Sequence, residues 1–353
     1  MEESQARNPG NRRLAGGPER AATPEHGLAL DLHRVGYGEL AASQSRFATT
    51  LLGTVAYGSR RPPLARIPAA WVPLPVLNGD DFCELWLSHE PVVRSEALGI
   101  SGAHNEHIVF GCLQMTEQGT LESAAESTYS RLFDYVDELG FPHLLRAWNY
   151  FPGINSHTDD MERYRRFNIG RHQAFMSKGR AIGEHAPAAC ALGCESGPLT
   201  VLFIAGRTAG QPIENPRQMS AYRYPERYGR RSPTFSRAML LDSPKQRVLF
   251  ISGTASIVGH ETLHAGDVDA QIQETITNLR AVFEAADCSD PQTGGGRKLS
   301  LKAYIRRPEH APRVQTALQD AFEGAEVVYL QADICRSDLL VEVEAAYFQR
   351  MTP

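Results

Sequence analysis

The feature that most constrains this chain is that its second half repeats the order of elements in its middle. The run Arg247-Val-Leu-Phe-Ile-Ser-Gly-Thr-Ala-Ser256 is apolar, breaks at Gly253 and predicts a buried strand. Asp267 stands at a helix-cap position, and Ile272, Ile276, Leu279, Val282 and Phe283 follow at helical spacing, which predicts one buried helix face. Residues 299–306 alternate as a strand, residues 311–323 predict a second helix, and residues 326–347 supply two more strands. The order is βαβαββ. Residues 107–115, 121–139, 143–150 and 161–176, followed by strands between 188 and 206, give the same order.

The two copies align residue by residue. Arg146-Ala-Trp-Asn-Tyr150 matches Lys302-Ala-Tyr-Ile-Arg306, and the stretch Cys194 to Leu202 matches Cys335 to Glu342 with one inserted residue. The expected fold class is therefore α+β: two tandem βαβαββ units, each a mixed sheet packed with helices. The first copy carries Leu202 where the second carries Glu342, so a carboxylate is kept at that position in one copy only. Chemistry is expected in the second copy. The competing reading is that Glu342 and Glu344, two residues apart, form the solvent face of an antiparallel strand.

With 353 residues the chain exceeds one small core. Three segments are expected: a disordered tail over 1–25, an N-terminal domain over 26–240 with the degenerate first repeat, and a catalytic C-terminal domain over 241–353. The formal net charge of -5 argues against a nucleic-acid partner and for a small molecule. No run of about twenty apolar residues predicts a membrane span. Arg12-Arg13 is not followed by the apolar region of an export signal, so a cytoplasmic location is expected. Cys83, Cys112, Cys190, Cys194, Cys288 and Cys335 contain a single C-x3-C pair and predict reduced thiols. His260-Glu-Thr-Leu-His264 matches the zinc-protease pattern, which works only on a helix; here it falls in a strand-to-helix loop, and His104 and His107 also fall in a loop. Neither metal nor cofactor is expected.

Val341-Glu-Val-Glu-Ala345 resembles the closing strand of the reactive intermediate deaminase family, over roughly residues 246–348. That resemblance implies an active-site carboxylate at Glu342 and relatives that form trimers with clefts between subunits. The family's arginine on the preceding strand is replaced by Val327 or a close neighbour, which argues against imine hydrolysis. From about residue 70 onward the chain resembles the chorismatases, duplicated relatives of that fold. The resemblance rests on five blocks, Arg146–Asn155, Glu162–Phe175, Ser220–Pro225, Ser252–Gly259 and Ala332–Glu342.

A chorismatase cleaves the enolpyruvyl ether of chorismate and releases pyruvate. The resemblance implies that reaction here, with Glu342 as proton donor and with Cys335 directing the ring to 3-hydroxybenzoate. Arg306 is expected to hold a substrate carboxylate with its planar fork, and Tyr150, Tyr222 and Arg223 to line the substrate. Alternatives are a reaction that stops at a dihydroxycyclohexadiene carboxylate, or a catalytically silent small-molecule-binding protein. A monomer or a small homo-oligomer is expected.

Overall fold

The structure, a computed structural model, describes residues 29–64, 68–183, 186–288 and 293–351. The tail expected over 1–25 lies outside the described residues.

Both predicted copies are present. The first comprises β5 (Val93–Ala97), β6 (Ile100–His104), β7 (Ile108–Met115), α2 (Leu121–Glu138), β8 (His143–Pro152), α3 (Arg163–Ser177), β11 (Ala188–Cys194) and β12 (Leu199–Gly206). At the start of the expected second helix stands β10 (Met161–Glu162), paired in a short hairpin with β9 (His157–Thr158). Thr120 caps α2 by accepting the Ser123 N–H at 3.2 Å. The helices α2 and α3 approach so closely that a Cβ at Gly170 would lie 2.0 Å from the Glu122 carbonyl oxygen.

The second copy comprises β13 (Gln211–Ile213), β14 (Ala238–Asp242), β15 (Gln246–Ala255), α4 (Val268–Ala285), β18 (Arg297–Ile305), α5 (Ala311–Ala321), β19 (Glu326–Gln331) and β21 (Val341–Arg350). Asp267 caps α4 by accepting the N–H groups of Asp269 and Ala270. The predicted face of α4 is buried against the sheet. Because β13 and β14 join this sheet, a domain boundary near residue 240 would cut through a strand.

Register supports the alignment of the copies. Leu202 pairs with Trp148 between β12 and β8, and Glu342 pairs with Tyr304 between β21 and β18, the two equivalent positions. The strand orders β7-β12-β8-β11 and β15-β21-β18-β19 match, each with two antiparallel pairings followed by a parallel one.

The segment before residue 90 holds a third unit, which the sequence reading did not identify. It runs β1 (Leu30–Gly36), α1 (Leu40–Arg46), β2 (Leu51–Tyr57), β3 (Ala69–Val72) and β4 (Phe82–Ser88). Its order β1-β4-β2-β3 has the same sequence of antiparallel, antiparallel and parallel pairings. Among the described residues, no helix joins β2 to β3. The chain therefore contains three related units, one of them abbreviated.

The units share one core. Trp86, Trp148 and Phe250, one from each unit, pack with ring centroids 5.4 and 6.1 Å apart. Tyr150, also one of three, bonds through its hydroxyl to Tyr57 at 3.2 Å and Tyr304 at 2.9 Å. Beside these rings runs a buried chain of alternating charge. Arg34 meets Glu84 at 3.2 Å, Glu84 meets Lys302 at 2.9 Å, Lys302 meets Glu344 at 3.2 Å, and Glu344 meets Arg146 at 2.7 Å. Neither Glu342 nor Glu344 lies on a solvent face, since both are at most 5% exposed.

Candidate active site

β21 lies between β15 and β18 in its sheet, so its first residues are fixed from both sides. The register of β15 against β21 slips between Ile251 and Thr254, and the irregularity leaves Gly253 beside Glu342. A Cβ at Gly253 would fall 1.9 Å from Glu342 Oε1, so the glycine makes room for the carboxyl group.

After β19 the chain leaves its own sheet, and β20 (Asp333–Ile334) pairs with β11 of the preceding unit. The loop that follows brings Cys335 to the junction of the two units. Its Sγ lies 3.8 Å from Glu342 Oε2. Both residues line a cavity of about 350 Å³, walled by α3, by the irregular chain before β14 and by the loop after β20.

Burial, followed by the negative charge of Glu344, pushes the Glu342 carboxyl up to about 8. Glu344 is buried too, but Lys302 and Arg146 hold it down to about 2. Two carboxylates two residues apart thus have opposite protonation at neutral pH, the acid facing the cavity and the anion facing the charge chain. Burial and the nearby Glu342 push the Cys335 thiol far up, which keeps it protonated.

Cations gather on the cavity wall. The Arg237 guanidinium donates to the Met219 carbonyl at 2.7 Å and to the Tyr224 hydroxyl at 2.8 Å, while its buried Nε has no hydrogen-bond partner among the described residues. Arg336 donates to the His260 carbonyl at 2.9 Å, lies 4.1 Å from the centre of the Tyr228 ring, and leaves Nη2 without a partner among the described residues. Arg165 comes from the first turn of α3. Three arginines beside one protonated carboxyl can hold a dianion against an acid.

Several expected site residues lie elsewhere. Arg306 does not line the cavity: its five N–H donors go to the Leu339, Ile334 and Arg336 carbonyls, Asn155 Oδ1 and Asp333 Oδ1. The fork grips the loop that carries Cys335 and leaves no donor for a substrate carboxylate. Arg306→Ala should consequently lower kcat more than it raises KM, which steady-state kinetics with chorismate would check; a pure KM effect would return the residue to substrate binding. Tyr150 is buried in the shared core. Arg223 is exposed and stacks over Tyr222 at 5.8 Å, and the cavity is lined instead by Tyr224 and Tyr228.

The sequence reading missed Arg165, Tyr224 and Arg336 although each lies in one of the five quoted blocks. Arg237 lies in none. The zinc-protease pattern forms no helix: Glu261 and Thr262 are in the short strand β17 (Glu261–Thr262), paired with β16 (Ile257–Val258). His260 Nδ1 lies 2.8 Å from Arg227, and His264 Nε2 lies 3.9 Å from Glu274, so the imidazoles have separate partners. No described helix is long and apolar enough to cross a membrane.

Comparison with known proteins gives the same family. Residues 84–205 match the model described as chorismatase FkbO/Hyg5-like, N-terminal. A 3-hydroxybenzoate synthase from Streptomyces hygroscopicus is 36% identical over 278 residues, covering 76% of this chain and 82% of its own. A chorismatase from Streptomyces rapamycinicus is 35% identical over 320 residues, covering 87% of this chain and 96% of its own. A chorismatase crystal structure matches with a TM-score of 0.81 at 33% identity, covering 91% of this chain and 99% of that one. With its repeated fold, its buried acid and relatives of this similarity along most of its length, the chain belongs to the chorismatase family.

Proposed function

We propose that this protein converts chorismate to pyruvate and 3-hydroxybenzoate without a metal or a cofactor. The observation that carries the proposal is a buried carboxyl, Glu342, kept protonated near neutrality in a cavity lined by three arginines. Chorismate carries two carboxylates and a vinyl ether. Arg165, Arg237 and Arg336 supply the cations for the carboxylates, and Glu342 protonates the terminal methylene carbon of the enolpyruvyl group. The resulting oxocarbenium ion takes up water, and the hemiketal collapses to pyruvate. The arginine-lined wall and the adjoining apolar residues Phe235, Ala255 and Ile257 keep the reacting carbon in a partly dry setting.

Pyruvate and 3-hydroxybenzoate together have the composition of chorismate, so the water added at the enol carbon is matched by one lost from the ring. Cys335, a neutral thiol beside the acid, is placed to relay the proton for that loss. Cys335→Ala should preserve pyruvate release and shift the ring product to a dihydroxycyclohexadiene carboxylate. The thiol is small, so fold-wide collapse is not expected. Product analysis by mass and ultraviolet spectrum reads the ratio, and an unchanged ratio would reduce Cys335 to packing.

Purified protein incubated with chorismate, with pyruvate coupled to lactate dehydrogenase, tests the reaction itself. Pyruvate should form equally with and without a chelator. Absence of pyruvate would leave a small-molecule-binding protein. A single chain suffices as the working unit, alone or in a small homo-oligomer, because the described lining of the cavity comes from two units of one chain; the wide spacing of the six cysteines, which suits reduced thiols, favours a cytoplasmic location.

A further inference from the structure

Among the described residues, the buried charge chain has no part in the cavity, and none of the cavity's lining comes from the N-terminal unit. Yet one member of the charge chain, Glu344, stands two residues from Glu342 on β21. Glu342 and Glu344 project from the same face of β21, because residues two apart on a strand do. Their surroundings differ sharply. Glu344 accepts from Arg146 at 2.7 Å and from the Trp148 indole at 2.9 Å, with Lys302 at 3.2 Å. Glu342 forms no ion pair among the described residues, and its hydrogen-bond partner there is the Cys335 thiol.

Resting on the acid role proposed above, we infer that Glu344 is a positioning residue for the reaction: fixed as an anion by Lys302 and Arg146, it keeps the proton on Glu342. The N-terminal unit takes part through Glu84. Lys302 is shared between Glu84 and Glu344, and Arg34 completes the line behind Glu84, so the cation beside Glu344 is itself anchored from 2.9 Å away. Two carboxylates this close in a dry core cannot both ionise cheaply. The three donors at Glu344 decide which one does.

The other groups facing Glu342 act in known directions. Arg146 from β8 and Arg237 from the chain before β14 favour its ionised form, as does the hydrogen bond from Cys335. Tyr164 and Arg171 of α3 and Cys190 of β11 adjoin the same carboxyl; both Tyr164 and Cys190 are held neutral by burial. Removing the Glu344 charge therefore takes away the largest charge that opposes ionisation of Glu342, and the carboxyl must acidify.

An infrared pH titration tests this without substrate. The band of the protonated Glu342 carboxyl is assigned by its loss in Glu342→Gln. In Glu344→Gln its midpoint should fall by about one pH unit or more, the size of effect that a neighbouring like charge produces in a buried setting. The high-pH limb of pyruvate release should move down with it, because activity that needs the acid is lost as pH rises through the midpoint. Glu344→Asp, which keeps the charge, should retain the wild-type midpoint. Glu344→Gln adds one net positive charge to the buried line, so the charge-balanced Glu344→Gln/Lys302→Met double variant serves if the single one does not fold, and it too should titrate lower. An unmoved midpoint in a folded variant lacking the Glu344 charge overturns the inference. A lowered midpoint in a protein whose wild type forms no pyruvate would sink the assigned reaction and leave the coupling of the two carboxyls standing.

Discussion

Glu342→Gln is expected to lower pyruvate release by about a hundred-fold to ten-thousand-fold, the usual contribution of a positioned general acid. The amide fills the same space against Gly253 and within reach of Cys335, so the cavity and its arginines remain. What is lost is a transferable proton. Chorismate binding, read by calorimetry, should stay near wild type while kcat falls. The pH profile gives a second reading. Wild-type activity should hold below the Glu342 midpoint of about 8 and decline as pH rises through it, whereas the residual activity of the glutamine variant should lack that limb. Because the folded-state midpoint is raised from 4.5, the folded protein binds more protons than the unfolded chain between these values, and the stability from this group declines as pH rises across that window. A glutamine variant with full turnover would remove Glu342 from the mechanism.

Lys302→Met is expected to cost about 3 kcal/mol of stability, the low end of what breaking a buried ion pair costs. The ammonium sits between Glu84 and Glu344 and also donates to the Tyr57 hydroxyl at 2.8 Å. Methionine preserves most of the volume, so little of the loss comes from packing. The loss arises because two buried carboxylates then face each other without the cation they shared, each left with a single arginine. Denaturant titration measures it, and a loss below about 1 kcal/mol would mean that solvent already screens the site.

The order of elements in the two full copies was legible because the apolar period changes from two to helical and back at the same places in both. Glu342 was legible because one copy has leucine at its position. The N-terminal unit was not, since its described residues form no helix between β2 and β3 and so break the order that revealed the other two. Arg306 misled for a different reason. Its place at the end of β18 could be read, but the carbonyls that occupy it belong to a loop whose path depends on β20 crossing to the neighbouring sheet. The sequence points to Tyr222 and Arg223, whereas Tyr224 and Arg237 line the cavity, because that stretch is irregular chain in which no period says which side chain turns inward.

The alternation of charge along Arg34, Glu84, Lys302, Glu344 and Arg146 depends on the three units being covalently joined. Were the units identical subunits around a threefold axis, any charge near that axis would appear three times with the same sign, and the only remedies would be neutral side chains or trapped counterions. Fusion into one polypeptide lifts that restriction. Each copy can then mutate alone, so the N-terminal unit supplies Arg34 and Glu84, the second full copy Lys302 and Glu344, and the first full copy Arg146. The same freedom lets a single cleft acquire an acid while the equivalent position at Leu202 stays apolar and buried. Asymmetry at the centre and one equipped cavity at the edge are thus two results of the same gene-level joining.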